Sequence, residues 1–570
     1  MSVFVVFLIP LLPLLAACVI AVGPDDTRPL RAKIAAFPIG AAFCTAIAAL
    51  YLVTTQGPIT LRLYNPESAG SLAFPIGFYV DRLSAVMMVL ISGVGSIIYT
   101  YSLRYMYQDA HEPRYLALIG GATFVLLCMV SSANLMMLFL FWQLLSYLLY
   151  LLAHNHSHAG TLEGAFRTFT ILRVGDVAFL AGIALAHSLY GTLEFQELFA
   201  RAAESRASVS LLPGIEISGA TAVTLLLFIG GMSKSAQFPM FIWLPRSLFA
   251  PTPVHALLHA GIINAGGFLI NRLAPLFGLS PATLHVALVV GTLTAILGAT
   301  MMLTQNDIKK TLGFSTIGQM GYMIMECGLG AFALAVFHLI AHGLFKATVF
   351  LNCGNVIHKA RQDPLFPHAD HGEEKEHFSP LTWSTGLLTT LVIPLLILLV
   401  THGVLRIPLL ESQGTVILLF FTWITSSQAI LTLTRLRTVA SWKVSAAMLL
   451  TLLFVVLVYL LAVESFTAFL YPNPEEVASY FQAADLPKWL FDLIILVATL
   501  LTVAGWGYLY LRAHGHSVWM PVWVDGVRIR LYVVFMNRLY VEHAYQRAGQ
   551  CLQRLLHRFD KHAQGWSQRP

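Results

Sequence analysis

The stretch Phe337-His-Leu-Ile-Ala-His-Gly-Leu-Phe-Lys346 sets three ionisable side chains inside a long apolar run. His338, His342 and Lys346 are spaced i, i+4, i+8, so on an α-helix each lies only about 40° round from the last and the three form one polar stripe. Nothing else on that helix is expected to carry charge. An ionisable group at membrane depth costs roughly 2.5 to 3.5 kcal/mol on insertion scales, and such groups normally face a bundle interior or a water-filled path. One such residue would read as polar glue between helices. Three in register read as a relay for protons.

The rest of the chain supplies the membrane setting. Its 570 residues are 57% hydrophobic and 11% charged, with a mean hydropathy of +0.74, which leaves far too little polar surface for a soluble globule. Apolar runs recur from end to end, and about fifteen are long enough to span a bilayer. The expected fold is therefore an all-α, polytopic membrane helix bundle. The first run, Val3–Val22, lacks a basic leader and is followed by Asp25 and Asp26 without a small-residue cleavage pattern, so it reads as a retained helix. Cys18, Cys44, Cys128, Cys327, Cys353 and Cys551 lie mostly in apolar runs without a CxxC pair, and imply neither a disulfide framework nor a metal site. The formal charge of +6 is modest and does not point to nucleic acid.

Lys and Arg collect in alternate loops. Arg28, Arg31 and Lys33, then Arg104 and Arg114, Lys309 and Lys310, Lys359, Arg361 and Lys375, and finally Arg435, Arg437 and Lys443 all fall on one side. The intervening loops, as at 55–80 and 465–486, carry few. Basic loops are retained in the cytoplasm, which predicts an N-terminus outside and, after an odd number of spans, a C-terminus inside.

Along the chain, Gln143 is the one strongly polar interior group of the spans at 115–131 and 135–152. His154, His156 and His158 follow in a short loop, where alternate histidines read as solvated or proton-collecting rather than as a metal site. Arg173 and Asp176, at i, i+3 in the sixth span, are placed to neutralise each other. Lys234 stands among small residues just before Pro239, which predicts a helix broken beside a buried lysine, a recurring construction in ion-coupled transporters. In the eighth span, Pro251 and Pro253 suit a helix entry, His255 and His259 repeat the i, i+4 spacing, and Gly261, Gly266 and Gly267 give a small-residue face. The tenth span holds Ser315, Thr316, Gln319 and Glu326, able to carry hydrogen-bonded water between the eighth and eleventh spans, or, for the Ser and Thr, merely to bond their own backbone. The later spans, near 381–400, 416–433, 444–463 and 490–511, read as scaffold. Arg528, Arg530, Arg538, Arg547, Arg554, Arg558 and Lys561, interleaved with apolar residues, predict an amphipathic cytoplasmic tail.

These residues resemble the proton-conducting antiporter-like subunits of respiratory complex I, membrane hydrogenases and multisubunit cation/proton antiporters. The likeness covers roughly 81–357 and rests on Arg-Val-Gly-Asp176, Lys234-Ser-Ala-Gln-Phe-Pro, Pro-Thr-Pro-Val-His-Ala-Leu-Leu-His259, Asp-Ile-Lys309, Ser-Thr-Ile-Gly-Gln-Met-Gly-Tyr322 and His338-x3-His-x3-Lys346. It implies that Lys234 lies on a discontinuous helix as the switchable proton carrier, and that His259, His338, His342 and Lys346 belong to a hydrated axis across the membrane. It also implies two inverted five-helix repeats. The corresponding divisions are N-terminal helices at 1–110, repeats at 111–276 and 277–438, further helices at 439–511 and the tail at 512–570.

Three departures stand out. Gln143 occupies the position of a family glutamate that modulates the lysine; a Gly-Phe-Phe-Ser-Lys-Asp motif is absent near 380–400; and the tail is short, without a long lateral helix and terminal anchor. Meanwhile His-Ala-Gly-Ile-Ile-Asn-Ala-Gly-Gly-Phe-Leu-Ile-Asn-Arg-Leu-Ala-Pro-Leu276 and Glu326-Cys-Gly-Leu-Gly-Ala resemble the membrane subunits of DAB-type inorganic carbon accumulation complexes. That resemblance implies a soluble cytoplasmic partner with a zinc site like that of a β-carbonic anhydrase, and a cation gradient driving CO2 hydration or bicarbonate accumulation. This chain shows no Cys/His/Asp zinc constellation and no nucleophile with a base, so it reads as a transport subunit without a cofactor of its own, zinc chemistry belonging to the partner. Two other readings remain open here: a subunit of a redox-driven proton pump, and a scaffold with a vestigial channel.

Overall fold

A computed structural model describes residues 2–22, 27–64, 75–153, 159–212, 214–247, 250–362, 413, 458, 461–513, 522–547, 549, 550 and 554. Two long helices open the chain, α1 (Ser2–Val22) and α2 (Arg28–Gln56). An antiparallel hairpin follows, β1 (Ile59–Tyr64) with β2 (Ile76–Val80). Next come α3 (Arg82–Tyr105), α4 (Glu112–Val130), α5 (Leu135–Ala153) and α6 (Ala159–Tyr190). A short helix α7 (Phe195–Glu204) and a second hairpin, β3 (Ser208–Leu212) with β4 (Ile215–Ser218), lead into α8 (Gly219–Lys234). The centre is built of short pieces: α9 (Trp243–Ser247), α10 (Thr252–Leu257), a π-turn at Leu258–Ile262, α11 (Ala265–Arg272) and α12 (Ala274–Gly278). Then follow α13 (Pro281–Met302), α14 (Ile308–Gly328) and α15 (Phe332–Gln362), and later the helices Pro474–Ala484, Lys488–Ala513 and Val522–Met536.

Among the described residues nine helices are long and apolar enough to cross a membrane. Burial sorts them. The apolar window of Pro29–Gln56 is 28% buried and faces outward, whereas that of Thr252–Arg272 is 100% buried, so the broken eighth span is the centre of the bundle. The expected spans at 381–400 and 416–433, most of that at 444–463, and the loop histidines at 154, 156 and 158 lie outside the described residues; of the expected second repeat at 277–438, the described residues run as far as α15 and include Gln413.

Side chains that can bond the exposed amides of a first turn set several helix starts. The Asp81 carboxylate accepts from Ser84 N at 2.9 Å, Ser218 Oγ from Thr221 N at 3.2 Å and Asp307 from Lys310 N at 3.0 Å. Glycines set the closest approach. A Cβ on Gly291 would overlap the backbone of Met325 and Gly321, and one on Gly298 the backbone of Gly318, so α13 and α14 meet along a seam only small residues permit. Gly261, Gly266 and Gly267 do not share one face, as the sequence had implied. They meet Leu126 of α4, Gly231 and Ser235 of the α8 region, and Met323 of α14, because their helix is enclosed on every side.

One membrane face carries both hairpins, a feature not expected of an all-helical chain. An isolated bridge joins Phe78 to Ser132 and another joins Asn134 to Glu194, tying the hairpin and α7 to the α4–α5 turn. Beneath them Arg272, only 4% exposed at its side chain, pairs with Asp81 at 2.7 Å and 3.0 Å and lies over Phe268, Tyr79 and Phe195. This pair fastens the end of α11 to the start of α3. One described helix of the tail, Val522–Met536, differs from the amphipathic pattern expected of it. Arg528 and Arg530, two residues apart, project to nearly opposite sides of Val522–Met536, and Trp523, Ile529, Leu531 and Met536 are exposed around it, so that helix has no single apolar face. Glu542 pairs with Arg167 of α6 at 2.7 Å and anchors the segment that follows.

Candidate proton path

Lys234 is the last residue of α8 and is fully buried. Beyond it the chain abandons the helix, and its freed backbone groups find other partners. Trp243 Nε1–H donates to Ser233 O at 2.8 Å, Phe238 N–H to Thr294 Oγ1 at 3.0 Å, and Ser235 Oγ–H to Ile263 O at 2.6 Å. The helix break predicted from Lys234 and Pro239 is thus present and satisfied at membrane depth, as a break there must be. Ile263 itself follows the π-turn of the eighth span, so two interrupted helices bond each other at their interruptions.

The Lys234 ammonium donates to Trp142 O at 3.0 Å and to Ser146 Oγ, and lies 5.0 Å from the centre of the Trp142 ring. Its nearest acceptors are uncharged. The carboxylate comes next: Asp176, 5% exposed, accepts Trp142 Nε1–H at 2.8 Å and pairs with Arg173 at 2.9 Å. Arg173 also donates to Gln143 Oε1. Gln143 therefore serves Arg173 and makes no hydrogen bond to Lys234, and the order of contact is Gln143, Arg173, Asp176, Trp142, Lys234. Trp142 and Ser146, which sequence reasoning missed, stand at i, i+4 on the inner face of α5; that spacing was the available signal.

His255 and His259 are both fully buried in the eighth span, their rings 6.3 Å apart. His259 stacks on Phe350 of α15 at 4.4 Å with the planes 6° apart, and His255 lies against the same ring at 5.7 Å. The π-turn at Leu258–Ile262 includes His259; such turns widen a helix by one residue and concentrate at functional sites.

The stripe forms as its spacing predicted, on α15, although that helix continues to Gln362 and so takes in Lys359 and Arg361, contrary to the expectation of no further charge. His338 Nδ1 lies 3.0 and 3.1 Å from the two carboxylate oxygens of Glu326, and its Nε2 lies 2.9 Å from Gln319 Oε1. His342 is 5% exposed, its ring 6.3 Å from that of His338. Lys346, 1% exposed, donates to Ser315 Oγ at 2.9 Å and Leu312 O at 3.3 Å. The polar groups of α14 thus bond α15 directly instead of reaching between the eighth and eleventh spans, while Thr316 bonds its own backbone at Leu312 O. Lys309 is not brought to the stripe. It is half-buried in the first turn of α14, about 9 Å of helix rise from Ser315.

Groups acting in series along one path behave as a unit. Each of His338→Ala, His342→Ala and Lys346→Ala is expected to lower proton flux in membrane vesicles about tenfold or more, and pairs of these changes to lose little beyond the worse single change. Additive losses with poor assembly would mark the stripe as structural.

Comparison with known proteins identifies the family. Residues 132–410 match the family "NADH:quinone oxidoreductase/Mrp antiporter, TM", and residues 67–116 match "NADH-Ubiquinone oxidoreductase (complex I), chain 5 N-terminus". The "Probable inorganic carbon transporter subunit DabB1" of Halothiobacillus neapolitanus is 39% identical over 555 residues, 96% of this chain and 97% of that one. NADH-quinone oxidoreductase subunit L of Neisseria meningitidis is 37% identical over 335 residues, 58% of this chain and 49% of that one. In fold, the chain is similar to the Mrp complex of Dietzia sp. (TM-score 0.56, 19% identity, 93% of this chain and 60% of that one). It is also similar to the membrane-bound sulfane sulfur reductase, an archaeal respiratory membrane complex (TM-score 0.53, 18% identity, 90% and 97%). The chain belongs to the antiporter-like membrane subunits of complex I and Mrp type, a multi-pass, proton-conducting transport family whose members work inside multi-subunit complexes. Within that family it is most like the DabB type, matched over 96% of this chain.

Proposed function

We propose that this chain conducts protons down their gradient into the cell and couples that flow to CO2 hydration by a soluble, zinc-containing, carbonic anhydrase-like partner on the cytoplasmic face. The observation that carries this reading is the extent of likeness: DabB1 corresponds over nearly its whole length, whereas the complex I subunit corresponds over about half of its own. The path residues are proposed as Glu326 and His338 at the hairpin face, then His342, Lys346 and His259, then Lys234, with Asp176 and Arg173 beyond it. The hairpin face is external on the bias of basic loops, in a bacterial inner membrane with the N-terminus periplasmic and the C-terminus cytoplasmic. Gln237 Oε1, Asn264 Oδ1 and both ring nitrogens of His259 and His342 are buried polar atoms without a protein partner, and they support passage by bridging water.

Lys234 suits a switch because burial favours the neutral amine of any lysine while a nearby carboxylate favours the ammonium. Here the carboxylate acts through Trp142, so a small movement of α5 alters both contacts at once. Gln143 bound to Arg173 supports a downhill path over a pump, since flow with the gradient needs no controlling carboxylate at that point. The chain itself is proposed to hold no cofactor; zinc belongs to the partner. Copurification tests the assignment: a soluble chain should accompany this one from detergent, with zinc bound in proportion to it. Zinc on this chain alone, or no soluble companion, would refute it.

A further inference from the structure

Where α14 ends and α15 begins, at the hairpin face, one imidazole is held from both sides. The Glu326 carboxylate approaches His338 Nδ1 at 3.0 and 3.1 Å, and Gln319 Oε1 approaches Nε2 at 2.9 Å. The side chains of His338 and Glu326 are 17% and 10% exposed, so the arrangement is enclosed yet close to the surface. Both ring nitrogens face acceptors. Only the imidazolium has a hydrogen on each nitrogen, so only the protonated ring satisfies both neighbours; a neutral ring leaves one nitrogen as an acceptor facing an oxygen. For Gln319 to meet that neutral nitrogen, its amide must turn over and present its NH2 group. We propose that Glu326, His338 and Gln319 form a proton-accepting clamp at the hairpin-face mouth of the path, in which each proton passed by His338 is coupled to a half-turn of the Gln319 amide.

The site takes a proton in preference to a metal cation. Hard cations require a cage of oxygen ligands, and the three oxygens here each lie within 3.1 Å of a ring nitrogen, two at Nδ1 and one at Nε2, with the imidazole itself between them. The titratable groups facing the clamp are Tyr322 and Cys327 on α14 and His342 on α15, with Lys346 one turn further along. Among the described residues of other elements, Asn271 of α11 donates to Cys327 Sγ at 3.6 Å, Tyr471 interacts with Cys327, and the helical segment that carries Glu464 sets Phe466 against Phe337 beside His338. Glu326 is thus the carboxylate that bonds the ring, and its removal leaves the imidazolium with a single neutral acceptor. The clamp rests on proton conduction through α14 and α15 and is independent of what the flow drives.

The test is proton flux into liposomes holding the full chain, purified with the subunits that accompany it and carrying a trapped pH dye, measured across external pH. Glu326→Gln should move the pH of half-maximal flux down by about one unit or more, and Glu326→Asp should restore part of it. Gln319→Leu should move it down and Gln319→Glu up. Opposite shifts from two changes at one position are not the result of damaged packing, and replacing Na+ with K+ should alter none of the curves. Curves for all four variants that coincide with the unaltered chain, or shift together in one direction, would overturn the clamp. An unaltered chain with no flux at all would instead overturn the conduction on which it rests.

Discussion

Lys234→Arg is expected to lower proton flux on the order of a hundredfold or more, while the amount of chain in the membrane stays unchanged. Arginine keeps the positive charge, so a site that needs only a cation would tolerate it. A site that must release a proton would not, because the guanidinium stays protonated under all working conditions. The local geometry adds a second obstacle. Lys234 places one nitrogen against Trp142 O and Ser146 Oγ in a pocket with no exposure, and the five donors of a guanidinium would leave several unmet there. Lys234→Ala removes the charge altogether and is expected to be equally inactive. Normal flux with Lys234→Arg would show that proton release at this residue is no part of conduction.

Much of this arrangement could be read from the chain because membrane depth makes polar residues conspicuous. The stripe of His338, His342 and Lys346, the break after Lys234 and the Arg173–Asp176 pair are departures from an apolar background, and the structure places each on the element predicted. What escaped were contacts made by residues that look ordinary in such a background. Trp142 is one apolar residue among many on α5, and only its indole N–H to Asp176 and its carbonyl to Lys234 reveal that it joins the two. Phe350 likewise acquires meaning from the imidazole stacked on it. The π-turn through His259 has no sequence signature, since one extra residue in a turn leaves composition unchanged. Arg272 and Asp81 are 191 positions apart, and pairing at such separation follows from the packed bundle, not from local spacing. Glu326 and Gln319 were visible as polar residues, but their closing on His338 from two sides depended on the register of α14 against α15, which the glycine seam with α13 helps to fix.

The second large effect concerns what the proton flow drives. Each proton crossing 100 mV releases about 2.3 kcal/mol, and roughly 1.4 kcal/mol shifts an equilibrium tenfold, so one proton per turnover is enough to bias CO2 hydration strongly toward bicarbonate. A soluble zinc enzyme working alone brings CO2 and bicarbonate to equilibrium and no further. The most direct measurement therefore uses a bacterium lacking carbonic anhydrase and coexpressing this chain with the proposed soluble partner, in which growth in ambient air and intracellular inorganic carbon are followed before and after an uncoupler. Both chains together should rescue growth and accumulate inorganic carbon, either chain alone should fail, and collapse of the gradient should abolish the accumulation within the time the potential is lost. Rescue and accumulation that persist in full after the gradient has collapsed would contradict energy coupling through this membrane subunit.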